Sequence, residues 1–315
     1  MNGDYLWDKS GEPDAEVQKL ETLLGRYRSG ATMPDFKRVA VLRRRHVWPF
    51  AVAAALILFA ILGAVRFYTP ANRWRAVESS GTADIPHSIL RAGDVVRTEA
   101  GSVRLQSPSV GTIDLGANTT VRLIENRSRR HRLALAAGTI HAKTTSPPGV
   151  FVIDTPKARA IDLGCEYTLT IAPNGGGELH VLAGWVDLTR GYEQSLVPQG
   201  ASAAIESDGT LTVPVFDDAV PAFRAAVRNH DVPTIVALAR TRDAFTLLNL
   251  FRTATPDERG LLYDRLNQLV PAPSSITRES VRYWTPASTE LWWRPVLRAC
   301  GIQTLKKTKG ALSGL

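Results

Sequence analysis

The sequence predicts a single-pass membrane protein with an all-β outer domain, of jelly-roll or β-helical-like sandwich type, followed by a small α-helical region. Three observations predict it. Residues 47–65, VWPFAVAAALILFAILGAV, run 19 positions without a charge. Residues 85–215 alternate polar and apolar positions in short runs, broken by Gly, Pro, Asn and Asp every eight to twelve residues. Residues 216–300 return to helical spacing with acidic and proline helix starts.

A helix over 47–65 rises about 1.5 Å per residue and crosses most of a hydrocarbon core about 30 Å thick. Pro49 falls in its first turn, where a missing N–H costs least. Lys37, Arg38, Arg43, Arg44 and Arg45 precede it more densely than Arg66, Arg73 and Arg75 follow, which puts the N-terminus in the cytoplasm. Trp48, Phe67, Tyr68 and Trp74 are placed for the two interfaces. A cleaved signal peptide would not carry 46 residues ahead of its apolar run, and a soluble core helix of this length would keep a polar face.

Residues 1–46 form an amphipathic helical segment and a basic linker. Pro13, Asp14 and Glu16 supply helix-start chemistry. Val17, Leu20, Leu23, Leu24 and Tyr27 then share one helical face, and Tyr5, Leu6 and Trp7 precede the turn. Such a segment is too small to bury that face within itself. Trp7, Val17, Leu20, Leu23, Leu24 and Tyr27 are therefore the candidate partner-binding residues, by the helix-in-groove mode.

Residues 66–84 read as a linker to the β domain at 85–215. Three stretches there repeat a device: Leu90-Arg-Ala-Gly93, Leu135-Ala-Ala-Gly138 and Leu182-Ala-Gly184, glycines 45 and 46 positions apart. Each marks a strand ending at a tight corner and another beginning at once. Asn174-Gly175-Gly176-Gly177 predicts a hairpin tip between 167–172 and 178–183. In 216–300, Asp217–Asn229, a helix capped by Asp231, one from Asp243, and a Thr255-Pro-Asp-Glu258 start running to Val270 are predicted, with further pieces from Thr277 and Thr289. Residues 301–315 read as a basic tail.

The net charge of +8 is carried by the arginines before the span, the C-terminal lysines and loop arginines such as Arg127, Arg129, Arg130 and Arg132, with no basic stripe interleaved with aromatics, so no nucleic-acid partner is expected. Cys165 and Cys300 lie far apart in sequence and form neither a metal motif nor a disulfide framework, and the sequence leaves open whether the two are bridged. Cys165 falls on the core phase of its strand, Asp162 and Glu166 on the outward phase, and His131 and His141 read as surface residues of neighbouring strands. No nucleophile elbow, phosphate loop, dinucleotide fingerprint or metal-ligand pair is present, so neither an enzyme nor a cofactor or metal site is expected.

The order of these parts resembles the FecR family of bacterial inner-membrane sigma-factor regulators. The resemblance runs from Ile89 to Ile205. It is carried by Gly93-Asp-Val-Val-Arg-Thr98, Gly101-Ser-Val-Arg-Leu105, the run Gly111–Leu123, Leu135-Ala-Ala-Gly138-Thr-Ile140, Phe151-Val-Ile-Asp-Thr-Pro156, Ala160–Tyr167, Val181-Leu-Ala-Gly184-Trp-Val186 and Pro198-Gln-Gly200. Cys165 stands where the family has a threonine, and 216–300 has no family counterpart. The resemblance implies an extracytoplasmic-function sigma factor as cytoplasmic partner, held by the segment with Trp7, Val17, Leu20, Leu23, Leu24 and Tyr27. It also implies a periplasmic β domain that senses an envelope signal, or an envelope protein such as a TonB-dependent outer-membrane transducer. Membrane lipid surrounds the span. The zinc-binding His/Cys set of other anti-sigma factors is absent. The alternative is an envelope scaffold, or a polysaccharide- or protein-binding module, with an inert N-terminal tail.

Overall fold

Glycines decide where the β region changes direction. The computed structural model describes residues 12–27, 30 and 73–302, and the chain divides into two units, 1–65 and 66–315. In the first, α1 (Ala15–Gly25) is the described helix. Residues 47–65 and Trp7 lie outside the described residues, among which no helix is long and apolar enough to cross a membrane.

The second unit holds sixteen strands among the described residues, arranged as two sheets that share one strand. The first sheet runs, in spatial order, β3 (Ile89–Leu90), β1 (Trp74–Ser80), β5 (Ser102–Ser107), β6 (Gly111–Leu115), the C-terminal half of β8 (Arg130–Thr144), β11 (Glu166–Ile171), β12 (Gly177–Ala183), β15 (Ala201–Ile205) and β16 (Val215–Phe216). The second runs β2 (Ala83–Asp84), β4 (Val95–Thr98), β7 (Thr120–Arg127), the N-terminal half of β8, β9 (Phe151–Asp154), β10 (Arg159–Asp162), β13 (Trp185–Arg190) and β14 (Glu193–Pro198). Pairing is antiparallel throughout except β8 with β9. Inward side chains of both sheets, among them Leu105, Ile113, Leu123, Leu133, Ile140, Phe151, Tyr167 and Leu169, form one continuous core.

At each of the three repeated glycines the chain passes from one sheet to the other. Gly93 separates β3 from β4, Gly184 separates β12 from β13, and Gly138 sits inside β8 where its partner changes from β7 to β6 and β11. All three have positive φ: 101°, 103° and 76°. At Gly138 an added Cβ would overlap both the main chain and side chain of Thr119. That contact is part of the corner itself. Buried Thr119 accepts from Thr139 N at 2.9 Å through its hydroxyl, and its own N–H donates to Thr98 Oγ1 at 2.9 Å. At Gly184 the added atom would meet the Gly164 carbonyl, so two corners pack back to back with no side chain between them. The predicted hairpin at Asn174–Gly177 joins β11 to β12, closed by Asn174 Oδ1 accepting from Gly176 N at 3.0 Å.

The expected linker at 66–84 is corrected by the structure. Residues 74–80 form β1, paired with β5 from Arg75↔Gln106 to Ser80↔Ser102, and 83–84 form β2. Trp74 is fully buried against Phe151 and His131, at ring separations of 5.9 and 6.3 Å, and is not an interfacial residue. The strand escaped detection because Trp74 and Ala76 are the apolar residues on its inward phase, too few to show alternation.

Eight helices or short helical pieces follow among the described residues: α2 (Pro221–Arg228), α3 (Val232–Leu238), a 3₁₀ turn at Thr241–Asp243, α4 (Ala244–Leu250), α5 (Pro256–Leu269), α6 (Arg278–Arg282), and α7 (Glu290–Ala299) preceded by a 3₁₀ turn at Pro286–Thr289. Thr255 and Glu258 form the reciprocal cap predicted for α5, and Asp231 caps α3 through Thr234 N. Asp243 holds Arg240 N and Nε at 2.8 and 2.9 Å instead of capping α4. The helices pack directly on the sandwich. Phe245 of α4 lies 6.1 Å from Trp185, 6.2 Å from Phe216 and 5.6 Å from Trp293. Thr246 Oγ1 donates to the Pro214 carbonyl at 2.8 Å, and Arg252 donates to the Gln194 carbonyl on the β14 edge.

The corners give a graded test. Gly138→Ala combines backbone strain with steric overlap and is expected to cost on the order of 3–5 kcal/mol. Gly93→Ala, with open space around the new Cβ, is expected to cost about 1–2 kcal/mol from the backbone alone. Urea unfolding followed by tryptophan fluorescence reads both, and equal costs would show that the Thr119 contact does not govern the corner.

Candidate functional site

The helix α1 presents the predicted face and buries none of its residues. At 100° per residue, Val17, Leu20, Leu24 and Tyr27 fall within an arc of about 80°, and Leu23 widens it to about 120°. Leu20 is 58% exposed, Leu24 63% and Tyr27 85%. Tyr27 follows the helix in the turn that ends it, its N–H donating to Leu24 O at 3.0 Å. Gln18 and Thr22 lie on the opposite side, linked by Thr22 Oγ1 donating to Gln18 O at 2.7 Å. Asp14 occupies the N-cap position, but its side chain makes no cap hydrogen bond; with Glu16 it contributes negative charge at the positive helix end. An isolated helix of eleven residues is marginal in water. Among the described residues of the first unit, its bare stripe is a feature able to gain free energy by docking.

In the second unit the structure relocates several titratable residues. Asp162 is fully buried on the inward face, paired in register with Val186, and not on the outward phase. The chain crosses between sheets at Gly164, so the alternation read through residues 162–167 breaks at the corner. Asp162 accepts from Thr144 Oγ1 at 2.8 Å, Gly164 N at 2.8 Å and Cys165 Sγ at 2.8 Å. Burial raises its carboxyl above the ordinary value, and burial together with the neighbouring Asp162 charge pushes the Cys165 thiol far up. A buried thiol held as a donor to a carboxylate is a structural group, not a nucleophile. Cys300 is also free and buried, donating to the Arg242 carbonyl at 3.2 Å, its thiol pushed up to about 11 by burial.

His131 is likewise corrected: it is buried on β8, bonded through Nε2 to Ser109 Oγ at 3.0 Å, and burial lowers its pKa. His141 lies on the same strand, on the outer face. There it belongs to a row that the sequence did not reveal, because its members are single polar residues on strands far apart in the chain. Glu78, Arg104, Asp114, His141, Thr168, His180 and Ser202 are successive cross-strand neighbours over the first sheet. Arg104 bridges Asp114 at 2.6 Å and Glu78 at 2.8 Å. His141 meets Thr168 and Glu166, both at 3.2 Å, and Glu166 is held below its usual carboxylate range first by Lys143 and then by His141. His180 Nε2 and Ser202 Oγ both contact the Asp217 carboxylate, each at 2.7 Å. Ser202 therefore faces a carboxylate and not an imidazole, an order that activates no hydroxyl for attack. A cleft of about 720 Å³ opens beside this end of the row, walled by Gly164, Gly184 and Gly200 and by Arg242, Cys300 and Ile302.

This two-sheet domain with glycine corners corresponds to a known class. Residues 94–187 match the model of the FecR protein family, so the sandwich carries a FecR domain. Two crystal structures of a proposed anti-sigma factor from Parabacteroides distasonis are similar to parts of the chain. One is 15% identical with a TM-score of 0.35, covering 40% of this chain and 60% of that one. The other is 14% identical with a TM-score of 0.34, covering 49% of this chain and 74% of that one. No curated protein matches the sequence.

The buried carboxyl predicts a pH dependence. Because the folded state raises the Asp162 pKa, the folded chain binds that proton more tightly than the unfolded one. Its contribution to stability is complete below the ordinary value of 3.8 and is lost as pH rises through the raised value. Asp162→Asn removes this term, so the variant's stability relative to the natural chain is expected to improve as pH rises across that window. Denaturant midpoints measured from pH 3 upward check the sign.

Proposed function

We propose that this protein is a single-pass regulator of the bacterial inner membrane. Its N-terminal helix binds an extracytoplasmic-function sigma factor in the cytoplasm, and its FecR domain senses an envelope signal in the periplasm. The observation that carries the reading is the bare apolar stripe of α1 on a chain that also carries a FecR domain. The uncharged stretch 47–65 lies between the two and supports the anchor.

Val17, Leu20, Leu23, Leu24 and Tyr27 lay into an apolar groove of the partner, with Trp7 extending the contact on the N-terminal side. The anchor holds the sigma factor at the membrane until the outer domain meets its signal, or an envelope protein such as a TonB-dependent transducer. The chemistry described above suits this reading: the Cys165 and Cys300 thiols donate to a carboxylate and a carbonyl, and Ser202 faces the Asp217 carboxylate.

Leu20→Asp and Leu24→Asp each place a charge in the middle of the stripe. Each is expected to weaken co-purification of the sigma factor by at least about tenfold, given about 1.5–3 kcal/mol for a buried leucine. Deleting residues 1–30 is expected to uncouple transcriptional output from the envelope signal while leaving the protein in the membrane. Unchanged output after the deletion would instead favour an envelope scaffold with an inert tail.

A further inference from the structure

The arginines read as loop residues in the sequence lie on the β7–β8 hairpin. Between residues 122 and 132 the chain carries Arg122, Arg127, Arg129, Arg130 and Arg132 against the single acid Glu125. The register Arg127↔Arg130 puts the hairpin tip at Ser128-Arg129. Arg122, Ile124, Arg127, Ser128, Arg129 and Arg130 are all exposed. Their inward neighbours Val121, Leu123, His131 and Leu133 are buried, so the hairpin itself is firmly rooted. Arg127 lies 3.3 Å from Glu125, and Arg132 is taken by Asp154, which also holds Arg159 at 2.9 Å. Arg122, Arg129 and Arg130 make no ion pair among the described residues.

The tip end of this hairpin, where Asn126 pairs with His131, lies beside the start of β1. Trp74, the first residue of β1, packs edge-on against His131, and His131 follows directly on Arg130. The eight residues 66–73 separate the uncharged stretch from Trp74 and reach at most about 30 Å when fully extended. With residues 47–65 as the anchor of the proposed function, the chain joins the sandwich beside the tip of this basic hairpin, within one short tether of the headgroups.

We propose that the β7–β8 hairpin docks on anionic lipid headgroups of the same bilayer, with Arg122, Arg129 and Arg130 on lipid phosphates and Ile124 at the headgroup boundary. This inference rests on the membrane anchor in the proposed function. Docking fixes the orientation of the FecR domain against the leaflet, with the hairpin end toward the bilayer. Arginines near a charged bilayer contribute on the order of fivefold in binding each, and the effect is screened by salt.

The test uses the full chain with Ser128→Cys in nanodiscs of phosphatidylcholine or of phosphatidylglycerol-rich lipid. Cys165 and Cys300 are buried, so a neutral, membrane-impermeant maleimide reads the hairpin tip. The labelling rate is expected to fall tenfold or more in the phosphatidylglycerol discs, and to recover in about 1 M salt and in an Arg122→Gln, Arg129→Gln, Arg130→Gln variant. Those substitutions are at exposed positions, and unchanged tryptophan fluorescence confirms the fold. Equal rates in the two lipids would overturn the docking. So would protection that arises in both lipids only when an acidic protein is added, which would make the hairpin a protein-binding surface. Extraction of the protein from membranes by alkaline carbonate would overturn the anchor and this inference with it, whereas retention with fast labelling overturns the docking alone.

Discussion

The sandwich depends on one strand serving two sheets. β8 gives its first half to β7 and β9 and its second half to β6 and β11, with the change made at Gly138. A strand can do this only if its backbone turns without losing its hydrogen bonds. The positive φ of Gly138 supplies the turn, and the hydroxyls of Thr98 and Thr119 take up main-chain groups that the ladders leave at the corner. Because both sheets meet in this strand, their inward faces form one core and not two.

The same logic explains the buried polar groups nearby. Each passage between sheets exposes main-chain donors at the corner, and Asp162 answers this at Gly164 by accepting from its N–H, from Cys165 and from Thr144. Placing a carboxyl inside the core costs free energy unless such donors surround it. Cys165 in this setting is a donor and a filler.

The helical region is an extension of the sandwich and not an appendage. Edge strands invite unwanted pairing, and β14 is closed by Arg252 on the Gln194 carbonyl. Phe245 then ties β13, β16 and α7 through its contacts with Trp185, Phe216 and Trp293. Arg242 lies over Phe216 at 4.6 Å, sealing the seam from the solvent side. By contrast α1 buries none of its residues against the described part of the chain.

What the sequence determined by itself was local. Alternation marked the strands from Val95 to Ile205, the glycine spacing marked the corners, Thr255 and Glu258 marked the start of α5, and the i, i+3, i+7 apolar stripe marked α1. These are properties of neighbours in the chain, set by backbone sterics and by the periods of helix and strand. Tertiary structure alone decided what depends on distant partners. It drew Trp74 and β1 into the core, turned Asp162 and His131 inward, and aligned seven polar residues from seven strands into one row. Those outcomes follow from sheet register and from the changes of sheet at glycines, and neither is written in any single stretch of sequence.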